Sequence, residues 1–177
     1  ALPSFAMPQT LAPHRAVYDV ALKDASDRSG ISGMNGRIVY EFLGSVCDGY
    51  TTNFRFVTRI RSASGNRLTD QQTTTYEDGA GEKFRFVNKS FVDETLDREV
   101  SGMARREDDQ IIVDLREPEK AELALEPALF PSAHMLDLIT ARIEGDDEAM
   151  STCIEDALLL VRESESRDLT LEGRLRM

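Results

Sequence analysis

The sequence predicts a mainly β domain, with helix confined to its C-terminal part. Three observations carry that prediction. Apolar and polar residues alternate with a period of two in successive segments between Arg15 and Leu115, the spacing of a pleated strand with one buried face. Short clusters of Gly, Asp, Asn and Ser separate those segments, and these residues accept the backbone angles of tight reversals. Helical spacing of apolar residues begins only after Pro131. The 177 residues fit a single domain, 1–177, because domains run roughly 100–200 residues.

Residues 1–13 carry Pro3, Pro8 and Pro13 without periodicity and read as an irregular arm. The antiparallel sheet is expected over 14–130. From Arg15 to Lys23, Tyr18, Val20 and Leu22 share one face and Val17, Asp19 and Ala21 the other. Asp27 to Gly30 reads as a turn, and Gly33 and Gly36 as further punctuation. Arg37 to Leu43 is a strand rich in β-branched and aromatic residues, which suit a half-buried pleated surface. Cys47-Asp48-Gly49 reads as a turn.

Tyr50 to Arg61 alternates again, with Phe54, Phe56, Thr58 and Ile60 on one face. Gly65-Asn66 is the next expected turn, followed by the Thr-rich strand Leu68–Tyr76. Glu77 to Gly81 is a hairpin signal, and Lys83 to Lys89 repeats the alternation with Phe84 and Phe86. The tetrapeptide Phe-Arg-Phe-Val thus occurs at 54–57 and 84–87, a recurrence of a good strand pattern. Thr95–Arg105 and Gln110–Leu115 are two more strands, joined by a polar loop, Arg106 to Asp109. Pro118 and Pro127 prevent one long regular element over 116–130.

Residues 131–165 read as helical. Ser132 is placed to cap a helix over His134–Ile143, ended by Gly145. Met150, Cys153, Ile154, Ala157, Leu158 and Val161 make the apolar stripe of a second helix. Residues 166–177, with Leu169, Leu171 and Leu175, form a short strand or tail.

Charge is unevenly distributed. Residues 1–90 hold 11 Lys/Arg against 9 Asp/Glu, and residues 91–177 hold 10 against 23, which together give the net −11. An acidic half repels phosphate backbones, so nucleic acid is not an expected partner. The longest uninterrupted apolar run is Ala157–Val161, far short of the ~20 residues of a membrane-spanning helix. The chain begins at Ala1 without a secretory apolar region, a start compatible with removal of a signal peptide or with an arbitrary boundary.

The chemistry-bearing residues are sparse. His14 and His134 are the only histidines, and both read as packing or hydrogen-bonding groups. No nucleophile elbow, Walker loop, dinucleotide fingerprint or His-Glu-x-x-His occurs. Asp108-Asp109 and Asp146-Asp147-Glu148 lack EF-hand spacing and read as solvated carboxylates. No catalytic residue, metal or cofactor is expected. Cys47 and Cys153 either pair, closing a loop worth roughly 4–5 kcal/mol in the chain-entropy model, or remain two free thiols.

Several ordered motifs carry a family resemblance. They are Leu11-Ala12-Pro13-His14-Arg15-Ala16-Val17-Tyr18, Gly36-Arg37-Ile38-Val39-Tyr40-Glu41-Phe42 and Cys47-Asp48-Gly49-Tyr50-Thr51-Thr52-Asn53-Phe54-Arg55-Phe56-Val57. Further on stand Thr73-Thr74-Thr75-Tyr76-Glu77-Asp78-Gly79, Phe84-Arg85-Phe86-Val87-Asn88-Lys89 and Phe130-Pro131-Ser132-Ala133-His134-Met135-Leu136. Over about residues 9–143 the chain resembles the EipB family of periplasmic cell-envelope-integrity proteins, formerly a domain of unknown function.

The resemblance implies a secreted periplasmic protein of a Gram-negative envelope. It implies a long curved antiparallel sheet, an open spiral or broken β-barrel similar to lipoprotein carriers. It also implies no enzymatic activity, and a disulfide from Cys47 to a cysteine near the chain end. The function expected from it is a binding or scaffold surface for an envelope protein, lipid or glycan. The alternative is a carrier of lipid or lipoprotein acyl chains, with Phe54, Phe56, Phe84 and Phe86 as candidate lining. Family members continue through further strands where this chain has residues 144–177, which therefore read as a truncated, frameshifted or divergent tail. A sheet lacking closing strands would expose unpaired edges and apolar surface, so self-association or attachment to a partner is expected.

Overall fold

A computed structural model describes residues 10–145 of the chain. Eight strands follow in order: β1 (His14–Ala21), β2 (Ile31–Ser45), β3 (Gly49–Ser62), β4 (Gly65–Glu77), β5 (Lys83–Val92), β6 (Thr95–Glu107), β7 (Gln110–Glu117) and β8 (Ala121–Leu125). Each pairs antiparallel with its neighbours in sequence, giving one sheet of order β1 to β8. Among the described residues, β1 and β8 are its edges and do not pair with each other, so this sheet is open. Residues Thr10–Ser132 form one compact unit, and the helix α1 (Pro131–Glu144) runs into the other.

The expected strands are present, and several are longer than their alternation suggested. β2 begins at Ile31, so Gly33 and Gly36 lie within the strand instead of ending it. Gly36 has a packing reason. A Cβ there would stand 2.3 Å from the Val57 carbonyl oxygen, closer than any side chain permits. The Gly65-Asn66 turn falls slightly earlier, at Ala63–Ser64, and Ser62 pairs with Gly65 across a two-residue loop. Asp93 and Glu94 join β5 to β6 with both φ angles positive, the pattern of a type I′ hairpin turn whose twist matches the strands it joins. Arg106 belongs to β6 and not to a loop. Within 116–130 the chain forms the short strand β8.

α1 begins at Pro131, where a missing amide hydrogen costs nothing. Ser132 therefore lies inside the first turn instead of before it, and its amide donates to Glu77 Oε2 at 2.8 Å. The helix stops at Gly145, whose φ of 72° suits the left-handed C-terminal position. The expected second helix, the strand over 166–177 and Cys153 lie outside the described residues.

The core of the Thr10–Ser132 unit sits at one end of the chain order. Ala104, Ile111, Val113 and Phe130 are buried together, with Phe84, Phe86, Leu115 and Leu125 packed against them.

Candidate functional site

The register sorts the strands onto two faces, because directly opposed residues of an antiparallel pair point the same way. Tyr40 opposes Phe54, Phe54 opposes Thr73, Thr75 opposes Phe86, Phe86 opposes Gly102, and Gly102 opposes Leu115. Phe54, Phe56, Phe84 and Phe86 therefore share one face. Phe42, Tyr50, Thr58, Glu77, Ala104, Ile111 and Val113, all buried, lie on that face too. It is the apolar face of the unit.

Aromatic rings cluster on this face in two groups. Phe42 stacks on Tyr50 with centroids 5.1 Å apart, and His14 stands 5.5 Å from Tyr40 and 5.8 Å from Phe42. Phe84 stacks on Phe86 at 6.1 Å and on Phe130 at 5.4 Å. Between the groups runs β4, which sends Thr69, Gln71, Thr73, Thr75 and Glu77 to the same face. Thr69 is hydrogen-bonded to Thr58 through their hydroxyls. The four phenylalanines thus share a face but not a patch: Phe84 and Phe86 join the core, while Phe54 and Phe56 stand half-buried beyond a stripe of hydroxyls and amides.

The opposite face is polar. Arg37 grips Asp19 across β1 and β2, Arg55 grips Asp70 across β3 and β4, and Lys89 meets Glu99 at 3.3 Å. Arg105 joins Glu107, Asp114 and Glu122 in one network. A shallow cavity of about 250 Å³ opens among β1 to β4, lined by Arg15, Glu41, Asn53, Arg55, Gln72 and Thr74 among others. Within it Asn53 donates to Glu41 at 3.3 Å and accepts from Thr74 at 3.2 Å. Such a cavity presents donors and acceptors in fixed positions and suits a polar ligand.

The ion pairs set a pH dependence. Hydrogen bonding from Arg55 holds the Asp70 carboxyl below its ordinary value, against a smaller opposing effect of burial. A folded pKa below the unfolded one gives stabilisation that is present above about pH 4, the unfolded value, and lost as pH falls through the folded value. Arg55 is largely exposed, so the pair is screened and worth only about 0.5 kcal/mol. Asp70→Asn is expected to lower stability by about that amount at neutral pH. Urea titrations should show the difference from wild type shrinking as pH drops below about 4.

The remaining candidates are scattered. Cys47 is exposed in the β2–β3 turn, and its candidate partner Cys153 lies outside the described residues. The His14 Nδ1–H donates to the Ala12 carbonyl at 2.8 Å, and the exposed ring packs beside Tyr40 and Phe42. His134 is half-buried in α1. Asp108 and Asp109 are exposed in the β6–β7 turn, and Asp146, Asp147 and Glu148 lie outside the described residues.

Three residues with marked environments carry no local sequence signal. Glu77 is buried at what reads as a hairpin turn. Tyr50, its opposite on β3, is buried with a hydroxyl that has no hydrogen-bond partner among the described residues. The Arg106 guanidinium donates to the Ala128 carbonyl at 2.9 Å and lies 5.7 Å from the Phe130 centroid. The strand register puts all three on the apolar face, although in the sequence Glu77 reads as part of a hairpin turn and Arg106 as part of a loop.

An open antiparallel meander with one apolar and one polar face places the chain among mainly β, barrel-related proteins. More specifically, it belongs to the EipB-like family, whose model matches residues 6–152. It is 51% identical over 148 residues to the cell envelope integrity protein EipB of Brucella abortus (strain 2308), covering 83% of this chain and 52% of that protein. A crystal structure of a β-barrel-like protein of unknown function from Brucella abortus is similar, with a TM-score of 0.73 and 54% identity. That likeness covers 76% of this chain and 58% of the other. The chain thus spans about half the length of the curated relative it matches. No helix among the described residues is long and apolar enough to cross a membrane.

Proposed function

We propose that the chain is a non-enzymatic periplasmic protein that contributes to cell-envelope integrity by offering its sheet as a binding surface. The observation that carries this reading is its 51% identity to a cell envelope integrity protein. The polar face supplies a means, because its cavity and ordered side-chain ladders suit a protein or glycan partner. An oxidising periplasm belongs with the same reading and would permit a Cys47–Cys153 disulfide. The test is complementation: exported in a strain that lacks its EipB relative, the chain restores growth on detergent. A chain that is exported and folded but restores nothing overturns the reading.

One observation favours a second reading, the transport of lipid or lipoprotein acyl chains. Phe54 and Phe56 stand half-buried on the apolar face next to the hydroxyl stripe of β4, an arrangement suited to an amphiphile. Native mass spectrometry of protein recovered from membranes separates the two. The scaffold gives a clean apo mass, and the carrier gives lipid adducts that Phe54→Ser and Phe56→Ser together reduce.

A further inference from the structure

We propose that the free edge of β1 pairs antiparallel with β1 of a second copy, about a twofold axis at Val17, to make one continuous sheet. Among the described residues β1 is an edge strand of eight residues, His-Arg-Ala-Val-Tyr-Asp-Val-Ala, with no Lys or Pro to blunt it. Val17 and Tyr18 at its centre are 50% and 56% exposed. Natural sheets usually protect such an edge, because its unpaired amides and carbonyls template another strand.

The phase of the free edge follows from one hydrogen bond. Leu22 donates to the Met34 carbonyl at 2.8 Å, in the same unbroken register that runs from His14↔Phe42 to Ala21↔Asn35. In an antiparallel ladder, hydrogen-bonded and non-hydrogen-bonded pairs alternate. The even-numbered residues of β1 therefore bond to β2. The backbone groups of Arg15, Val17 and Asp19 point away from the sheet.

Those three residues are complementary to themselves when the strand is reversed. With Val17 opposite Val17 of the second copy, Arg15 falls opposite Asp19 and Asp19 opposite Arg15, each pair exchanging two backbone hydrogen bonds. On the apolar face the same register sets the small Ala16 against the large Tyr18, twice over. Among the described residues Arg15 takes part in no ion pair, while Asp19, already paired with Arg37, would be shared between the two arginines. Shifting the axis to Arg15 or to Asp19 would oppose like charges, which destabilises a directly facing pair. Charge thus disfavours those two registers, and the Arg15–Asp19 complementarity of the Val17 register favours one occupant, a second copy of this chain.

Sedimentation velocity on the full chain tests the proposal. An edge pairing is small beside a stable interface, so dimer is expected to accumulate between about 10 and about 300 µM. Val17→Pro removes an outward-facing amide without touching the β2 ladder, and Arg15→Asp sets acid against acid. Each is expected to weaken the dimer about tenfold or more with the circular dichroism spectrum unchanged. In a Cys47→Ser, Cys153→Ser background, Val17→Cys is expected to cross-link on oxidation, because opposed Cα atoms about 5.5 Å apart fit a disulfide. Tyr18→Cys, which faces Ala16, is not. A monomer at every concentration, or a dimer indifferent to Arg15→Asp, overturns the proposal; the latter would place self-association on another surface.

Discussion

Replacing Phe130 with alanine is expected to lower folding stability by about 3–5 kcal/mol. Phe130 follows β8 and is only 6% exposed. It packs with Ala104, Ile111 and Val113 of β6 and β7, and its ring stacks on Phe84 of β5 at 5.4 Å. The segment it belongs to is therefore the cover of the apolar face over three strands. Truncation to alanine removes the ring from among Phe84, Ala104, Ile111 and Val113 and leaves a cavity there. The Arg106 guanidinium 5.7 Å from the ring would lose its aromatic partner as well. Equilibrium unfolding in urea is the measurement. Phe130→Leu, which keeps most of the volume, is expected to cost about 1–2 kcal/mol. A loss below about 1 kcal/mol for the alanine variant would mean that this segment does not close the core.

Much of this arrangement was legible in the alternation of side chains. The period of two put Phe54, Phe56, Thr58 and Ile60 on one face of β3, and the register keeps them there. Boundaries were less legible where a residue type signals two things. Gly33 and Gly36 look like punctuation, yet Gly36 stands inside β2 because Val57 of the next strand leaves no room for a Cβ. The strand β8 was hidden because its residues are mostly exposed on both faces and carry no contrast for periodicity to detect. Phe54 and Phe56 share a face with Phe84 and Phe86 but not a patch. Periodicity gives the direction of each phenylalanine, and only the pairing of β3, β4 and β5 shows that a polar strand runs between them. Environments that depend on distant chain were invisible from local pattern, and Glu77 is the clearest instance.

Glu77→Ala is expected to cost about 2–3 kcal/mol, close to the effect at Phe130 although no large apolar group is removed. Glu77 is 4% exposed on the apolar face, and its Oε2 accepts the amide of Ser132, 55 residues further along the chain. That amide is one of the first-turn donors that a helix cannot satisfy internally. Alanine would leave it buried without an acceptor, and an unmet buried donor costs more than the hydrogen bond itself contributes. The bond also ties the segment after β8 back to the end of β4, so its loss frees the chain that carries Phe130. Glu77→Gln separates charge from acceptor. It keeps a carbonyl oxygen for the Ser132 amide and is expected to cost about 1 kcal/mol, roughly the difference between a charged and a neutral acceptor. Urea unfolding of both variants decides the matter. Equal losses for Gln and Ala would show that the negative charge is what the site requires, and a negligible loss for Ala would show that Ser132 finds another acceptor.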